Sequence, residues 1–511
     1  MTLFNKPSGG SDSWFKLGLI GLLVLSLALR FWGLGRFNSL VFDEVYYVKF
    51  AHDYLTQTPL FDGHPPLSKY LIAIGIWLGN QLPIGRDTVN SLAGAEYSTW
   101  SYRWLNALTG SFIPLVVAGM AYQLTRRRSY AFLAGLFAAL DGLFLVESRY
   151  ALNNVYLVIF GLLGLWFLLL ALEGRSTRRS LYLIGSGIFF GASASIKWNG
   201  LWFLLGAYGL WLIAWLLRWL QTRFPNHAGL QLFTGTTETT PADRIPRSPL
   251  QQLTHLAPWQ IALNLGVVPA VFYRLIWIPH LKFNTTVGFW ELQKQILDYH
   301  ERVPNGPKVH PYCADWYTWI LMLRPVAYYY KVEAQGGSLL STDPAVKAGS
   351  TVIYDVHAIG NPFLWWFSTL AIVLVCIVLA QQLLNWQPTQ RTGGGVDQDR
   401  PPAPSSPSLN GTETWLALFI GVNYAANLLP WVRVTRCTFL YHYMGASVFA
   451  TMAIAWLVDR WLHSTQPNLR TMGIVAIVLI VLAFIFWLPI YLGLPLSTLG
   501  FRLRMWLPSW V

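Results

Sequence analysis

Charge is scarce in this chain: 12% of its 511 residues are charged, where an ordinary soluble domain carries about 25%. That scarcity, with 54% hydrophobic residues and a mean hydropathy of +0.41, excludes a string of soluble domains and predicts a polytopic membrane protein. Cysteine is scarcer still. Cys313, Cys376 and Cys437 are too few and too scattered to predict a disulfide framework or a cysteine-based metal site, and Cys376, in an apolar run, reads as packing. No Gly-x-x-x-x-Gly-Lys loop is present and no Gly-x-Gly-x-x-Gly follows a strand, so neither a nucleotide-sugar pocket nor a cofactor is expected. His-Glu-x-x-His is absent and the histidines are scattered, so no metal is expected. No internal repeat suggests an inverted-repeat transporter.

What is present is apolar and aromatic. The 26 tryptophans and 24 tyrosines suit the two membrane–water interfaces. The net charge of +13 suits cytoplasmic loops and anionic lipid head groups, and no nucleic-acid partner is expected. Apolar runs predict eleven spans: 14–33, 103–124, 129–146, 152–172, 181–196, 199–218, 260–279, 362–382, 415–431, 439–457 and 471–491. No small-residue cleavage site follows Leu17–Leu29, so the first run reads as a retained span. Arg126–Arg128, Arg175, Arg178, Arg179, Arg391, Arg400, Arg460 and Arg470 fall on one side if 67–82 does not cross. That segment is therefore expected to be a juxtamembrane or re-entrant helix on the outer side, with the N-terminus inside and the C-terminus outside. Residues 220–258 read as a cytoplasmic loop, 280–361 as an aromatic-rich outer cap, and 387–413 as a disordered cytoplasmic linker.

One polar stretch stands out. Phe42-Asp43-Glu44-Val45 and Asp62-Gly63-His64-Pro65-Pro66-Leu67-Ser68-Lys69 follow the first span. Ionisable groups there are costly and usually functional. Adjacent acids do not share a helix face, so one can enter a cavity while its neighbour makes a structural bond. A carboxylate against an apolar wall has its pKa raised, which suits a general base. Pro65 and Pro66 stiffen the chain and fix where Asp62 and His64 point. Arg103, Arg149, Lys197 and Arg436 all fall at outer span ends, on the side of Asp43. Such a group of cations can hold a lipid phosphate.

These blocks together resemble protein O-mannosyltransferases, glycosyltransferase family 39. The first-loop motif is similar to their Phe-Asp-Glu-Val … Asp-x-His-Pro-Pro-Leu-Ala-Lys. Arg103 matches an arginine early in their second span. Leu140-Asp141 … Ser148-Arg149, Ser195-Ile196-Lys197-Trp198 and Asn423-Tyr424 … Arg436-Cys437-Thr438-Phe439-Leu440-Tyr441-His442-Tyr443 resemble further family segments. Ser68 replaces a usual Ala, and Tyr441 stands where a His often sits. The likeness runs from about 40 to 457.

The resemblance implies a GT-C fold: an α-helical polytopic membrane protein of about eleven transmembrane helices with outer juxtamembrane helices. It implies a transmembrane module at 1–279 carrying the catalytic loop, the cap at 280–361, and C-terminal helices at 362–511. The cap is too short for the β-trefoil of eukaryotic members, which points to the bacterial type in the cell (inner) membrane. The implied reaction moves mannose, with inversion, from polyprenyl-phosphate-mannose to Ser or Thr hydroxyls of exported proteins at the extracytoplasmic face. Asp43 would be the base. Arg103, Lys197 and Arg436 would offset the phosphate, with Arg149 and His442 near that end. Glu44, Asp62 and His64 would position Asp43 or the substrates. Two rivals are a GT-C enzyme moving another lipid-linked sugar to a lipid or glycan, and a transporter. The latter calls for charges in mid-span, whereas these lie at span ends.

Overall fold

A computed structural model of the chain describes residues 11–85, 89–90, 96–224, 249–334, 351–384 and 411–511. The first nine helices are α1 (Ser11–Phe31), α2 (Glu44–Leu55), α3 (Leu67–Gly79), α4 (Thr99–Thr125), α5 (Arg128–Ala139), α6 (Gly142–Arg149), α7 (Asn154–Glu173), α8 (Ser176–Ala194) and α9 (Leu201–Arg223). Among the described residues, nine helices are long and apolar enough to cross a membrane. Counted as one span, the pair α5–α6, bent by 57°, makes a tenth. The bend has a local cause. Just past the end of α5, Asp141 caps α6, its carboxylate accepting from Leu143 N (2.8 Å) and Phe144 N (3.3 Å).

The eleventh expected span is α8. It has 19 residues but begins Ser-Thr-Arg-Arg-Ser, and it falls short of the hydropathy of the others. It still returns along α7: Lys197, just past its end, meets Asn154 at the start of α7. Packed against α7 and the Val268–Phe283 helix, it needs a less apolar surface than a lipid-facing helix. Most of the 67–82 segment is α3, a largely apolar helix of 13 residues, too short to cross.

Strands, which the hydropathy pattern did not foretell, add a three-stranded antiparallel sheet beside the helices. Its order is β3 (Val326–Ala334), β4 (Thr351–Ala358), β5 (Pro495–Ser497), after a small pair, β1 (Val89–Asn90) and β2 (Tyr97–Ser98). The β3–β4 register runs from Val326↔Ala358 to Ala334↔Thr351 and shifts between Ala327 and Tyr329, leaving Tyr328 as an extra residue. Such bulges re-aim side chains. Cys313 and Cys437, 124 residues apart, form a disulfide, which corrects the expectation that the cysteines are too scattered to pair. Cys376 is exposed on the Pro362–Leu384 helix rather than packed. Most of the expected loop 220–258 (225–248) and linker 387–413 (387–410) lies outside the described residues; 411–413 begin the Gly411–Leu428 helix.

Ion pairs hold one end of the bundle: Arg126–Glu173, Arg127–Asp459 (2.7 Å) and Arg460–Glu413 (2.9 Å). The other end carries the polar stretch.

Candidate active site

At Phe42 the backbone enters the left-handed region (φ 53°), a strained conformation for a bulky side chain that clusters at functional sites. The turn lays the Phe42 ring on Tyr328, centroids 4.1 Å apart and 7° from parallel. It also divides the two acids that follow.

Glu44 turns inward and is fully buried. Its carboxylate accepts from Arg103 Nε (2.9 Å), Arg103 Nη2 (2.7 Å), Val41 N (2.8 Å) and Ala151 N (2.9 Å). Those bonds take up all of roughly four lone-pair positions of a carboxylate. Arg103 is equally occupied. Its other donors reach Leu34 O (3.1 Å), Phe37 O (3.1 Å) and Ser39 O (2.8 Å), so all five N–H groups are used. Neither residue has a hydrogen-bonding position left for a substrate. The structure thus places Glu44 and Arg103, expected at the chemistry and at the phosphate, in the brace beneath the loop.

Arg149 is a second brace. It donates to the carbonyls of Leu29 (2.9 Å), Arg30 (3.1 Å), Trp32 (2.8 Å) and Gly33 (3.1 Å), where α1 ends. Terminal carbonyls lack helical partners, and a cation there satisfies them. This buried guanidinium is thus occupied largely by backbone carbonyls.

The Asp62–Lys69 loop folds around its lysine. Buried Lys69 pairs with Asp62 (2.5 Å) and donates to His64 O (3.0 Å) and Pro65 O (2.5 Å). That fixes His64, whose ring lies 5.1 Å from His300. Burial, helped by Lys197, His300, Lys69 and Arg436, pushes the His64 imidazole well below the usual range, so it is neutral. His300 Nε2 donates to Gly63 O (2.7 Å), and burial, then Arg436, lowers its pKa to about 4.

Asp43 takes the other direction. It stands at the start of α2 without capping it, and its carboxylate has no hydrogen-bond partner among the described residues. It lines a narrow cleft with Glu147, Asn153, Lys197, Tyr328 and Tyr441. Burial raises its pKa to about 6; Lys197 opposes the rise and Asp62 adds to it. Lys197 Nζ donates to Asn154 Oδ1 (3.0 Å) and lies 5.4 Å from the Tyr441 ring centroid. Burial lowers its pKa, and Asp43 and Glu147 oppose that. Glu147 accepts from Tyr328 Oη, delivered by the bulge, and from Asn154 Nδ2 (3.1 Å).

Arg436 uses one N–H, to Cys437 O (3.1 Å), and has no other hydrogen bond among the described residues. Its segment is stitched to the cap by the disulfide, by Ala314 N donating to Thr438 O (2.8 Å) and by Cys437 N donating to Pro304 O (3.1 Å). His442 is packed by Trp319 and Trp431 (centroids 5.9 and 4.7 Å), and its Nδ1 accepts from Phe439 N (3.0 Å). It supports the turn that carries Tyr441.

Of the expected residues, Asp43 and Lys197 line the cleft, and His64 and Arg436 lie within electrostatic reach of Lys197. Asp62, Glu44, Arg103, Arg149 and His442 hold the surrounding chain. Glu147, Asn153, Asn154, Tyr328 and His300 were not foreseen as site residues. An acid within an apolar run was a usable signal for Glu147; the others carry none.

A family model described as dolichyl-phosphate-mannose-protein mannosyltransferase matches residues 20–283, and one described as the C-terminal four TMM region of protein-O-mannosyltransferase matches residues 285–510. A polyprenol-phosphate-mannose--protein mannosyltransferase of Mycolicibacterium smegmatis is 24% identical, over 99% of this chain and 94% of its own. The solved S. cerevisiae protein O-mannosyltransferase Pmt1-Pmt2 complex, bound to the sugar donor, superposes with a TM-score of 0.71 at 15% identity, covering 98% of this chain and 93% of that one. ArnT from Cupriavidus metallidurans, bound to undecaprenyl phosphate, gives 0.50 at 13% identity, covering 94% and 66%. The fold is the GT-C membrane fold of these enzymes.

Proposed function

We propose, from the premise that this chain belongs to the dolichyl-phosphate-mannose-protein mannosyltransferase family, that it transfers mannose from polyprenyl-phosphate-mannose to Ser and Thr hydroxyls of exported proteins. It is a multi-pass membrane glycosyltransferase. The single observation that carries the mechanism is the contrast between Asp43 and its neighbour. Asp43 is unpaired and shifted toward neutral pH, while Glu44 is locked.

In this reading Asp43 takes the proton of the acceptor hydroxyl as its oxygen attacks C1 of the sugar. The C1–O bond to phosphate breaks and the lipid phosphate leaves with the electron pair. Lys197 and Arg436, the cations with donors to offer, offset its growing charge. Attack opposite the leaving group inverts C1. Neutral His64 acts by hydrogen bonding rather than by charge.

The same reading puts the site on the extracytoplasmic face of a bacterial inner membrane. Two observations support that side. The arginine-rich loops belong to the opposite end of the bundle. A disulfide beside Arg436 suits an oxidising compartment, since cytosolic thiols are kept reduced.

Sealed right-side-out vesicles, loaded with radiolabelled polyprenyl-phosphate-mannose and given a membrane-impermeant Ser/Thr-rich peptide, test acceptor and side together. The peptide is expected to gain label. Label appearing in lipid or glycan alone would move the chain to another GT-C acceptor class. Peptide labelling in inside-out vesicles alone would reverse the assigned side.

A further inference from the structure

The cleft wall holds two adjacent asparagines in opposite situations. Asn154 is bonded at both ends of its amide, accepting from Lys197 and donating to Glu147. Asn153 is not. Its side chain is fully buried, and neither Oδ1 nor Nδ2 has a hydrogen-bond partner among the described residues. It stands at the N-cap of α7, where asparagine is among the favoured residues because its oxygen can accept from the first turn. It makes no such bond. A buried amide with both ends unmade is destabilising, since buried polar groups are almost always paired. The residue lines the same narrow cleft as Asp43, Lys197 and Glu147.

The amide's chemistry suits one part of the donor. A phosphate offers only acceptors, which Lys197 and Arg436 match and which an amide oxygen would repel. A sugar hydroxyl both donates and accepts, and so does a primary amide. We propose that Asn153 is a specificity-determining residue that hydrogen-bonds a ring hydroxyl of the donor sugar, separating hexosyl phosphates that present that hydroxyl from those that do not. This rests on the reading of the chain as a lipid-phosphate-sugar transferase. Asp43 handles the acceptor proton and the two cations the phosphate, and Asn153 selects the sugar between them. A site built to bond a hydroxyl rejects the analogue lacking it more strongly than an apolar pocket could, because its own polar atoms are then left unpaired.

The test compares two ligands on purified full-length protein in nanodiscs: polyprenyl-phosphate-mannose and polyprenyl phosphate without sugar. Wild type is expected to bind the sugar-bearing lipid more tightly. Asn153→Leu is expected to lose that increment, weakening the mannosyl lipid by roughly tenfold for the lost hydrogen bonding, while holding sugar-free lipid as wild type does. Retained binding of sugar-free lipid also reports a folded site. Single-deoxy mannosyl lipids should separate from the parent on wild type and bind alike to the variant at one ring position. An undiminished increment in Asn153→Leu overturns the inference. If Asn153→Leu loses both ligands, Asn153→Ala decides. Loss of both again assigns Asn153 to the architecture and overturns the proposal, whereas loss of the increment alone sustains it. Wild type binding the two lipids equally would instead overturn the donor assignment, and this inference with it.

Discussion

Asp43→Asn is expected to lower mannosyl transfer by about two to four orders of magnitude, the range typical of a lost general base. Binding of the donor should change little, because Lys197 and Arg436 remain. The substitution keeps shape and removes a charge that has no hydrogen-bond partner among the described residues, so the melting temperature should not fall. The pH dependence follows from the same group. A base acts only when deprotonated, and burial holds Asp43 at about 6. Wild-type kcat/KM should therefore fall about tenfold per unit as pH drops below about 6 and level off above it. Because Lys197 opposes the rise, Lys197→Met should move that acid limb to higher pH. A limb that stays in the ordinary carboxylate range would remove Asp43 from the role.

Glu44→Ala should act on the opposite quantity. It strips four accepted hydrogen bonds at once and leaves the Arg103 guanidinium buried without its counter-charge. Breaking one side of a buried pair costs about 3–5 kcal/mol, a large part of an ordinary domain's stability. Thermal unfolding in detergent should show little or no folded protein. Glu44→Gln keeps the volume and some acceptors. It should therefore lose stability yet retain more activity per folded molecule than Asp43→Asn. The reverse order, a stable and inactive Glu44→Gln, would make Glu44 a participant in the chemistry rather than a brace.

That the two adjacent acids differ so sharply was only half legible. An acid pair after the first span, followed by His64-Pro65-Pro66, announces a functional loop from composition alone. Which acid faces the cleft depends on the positive φ of Phe42, for which the sequence offers no glycine or asparagine as a sign. The four basic residues at span ends gave one signal and proved to be two kinds. Arg149 ends on backbone carbonyls, and Arg103 on backbone carbonyls and Glu44; carbonyls are possessed by every residue and no motif marks them. Lys197 lines the cleft, and Arg436 keeps N–H groups unbonded among the described residues. The Cys313–Cys437 pair spans 124 residues, a separation at which spacing carries no information. The same holds for Tyr328, placed by a bulge whose partner strand begins 23 residues after it. The helices were more legible because apolar length is local. α8 differs from the rest because its polar beginning dilutes the pattern, while its packing partners lie far along the chain.

The most direct test of the account is the anomeric configuration of the product. Purified protein, a Ser/Thr peptide and polyprenyl-phosphate-[13C]mannose would give a glycopeptide whose C1 coupling is read by NMR. One base and a direct displacement predict mannose on the hydroxyl oxygen with C1 inverted relative to the donor. Retention at C1 would contradict the account. It would require a covalent sugar on a carboxylate of the cleft, with Asp43 or Glu147 as nucleophile rather than base.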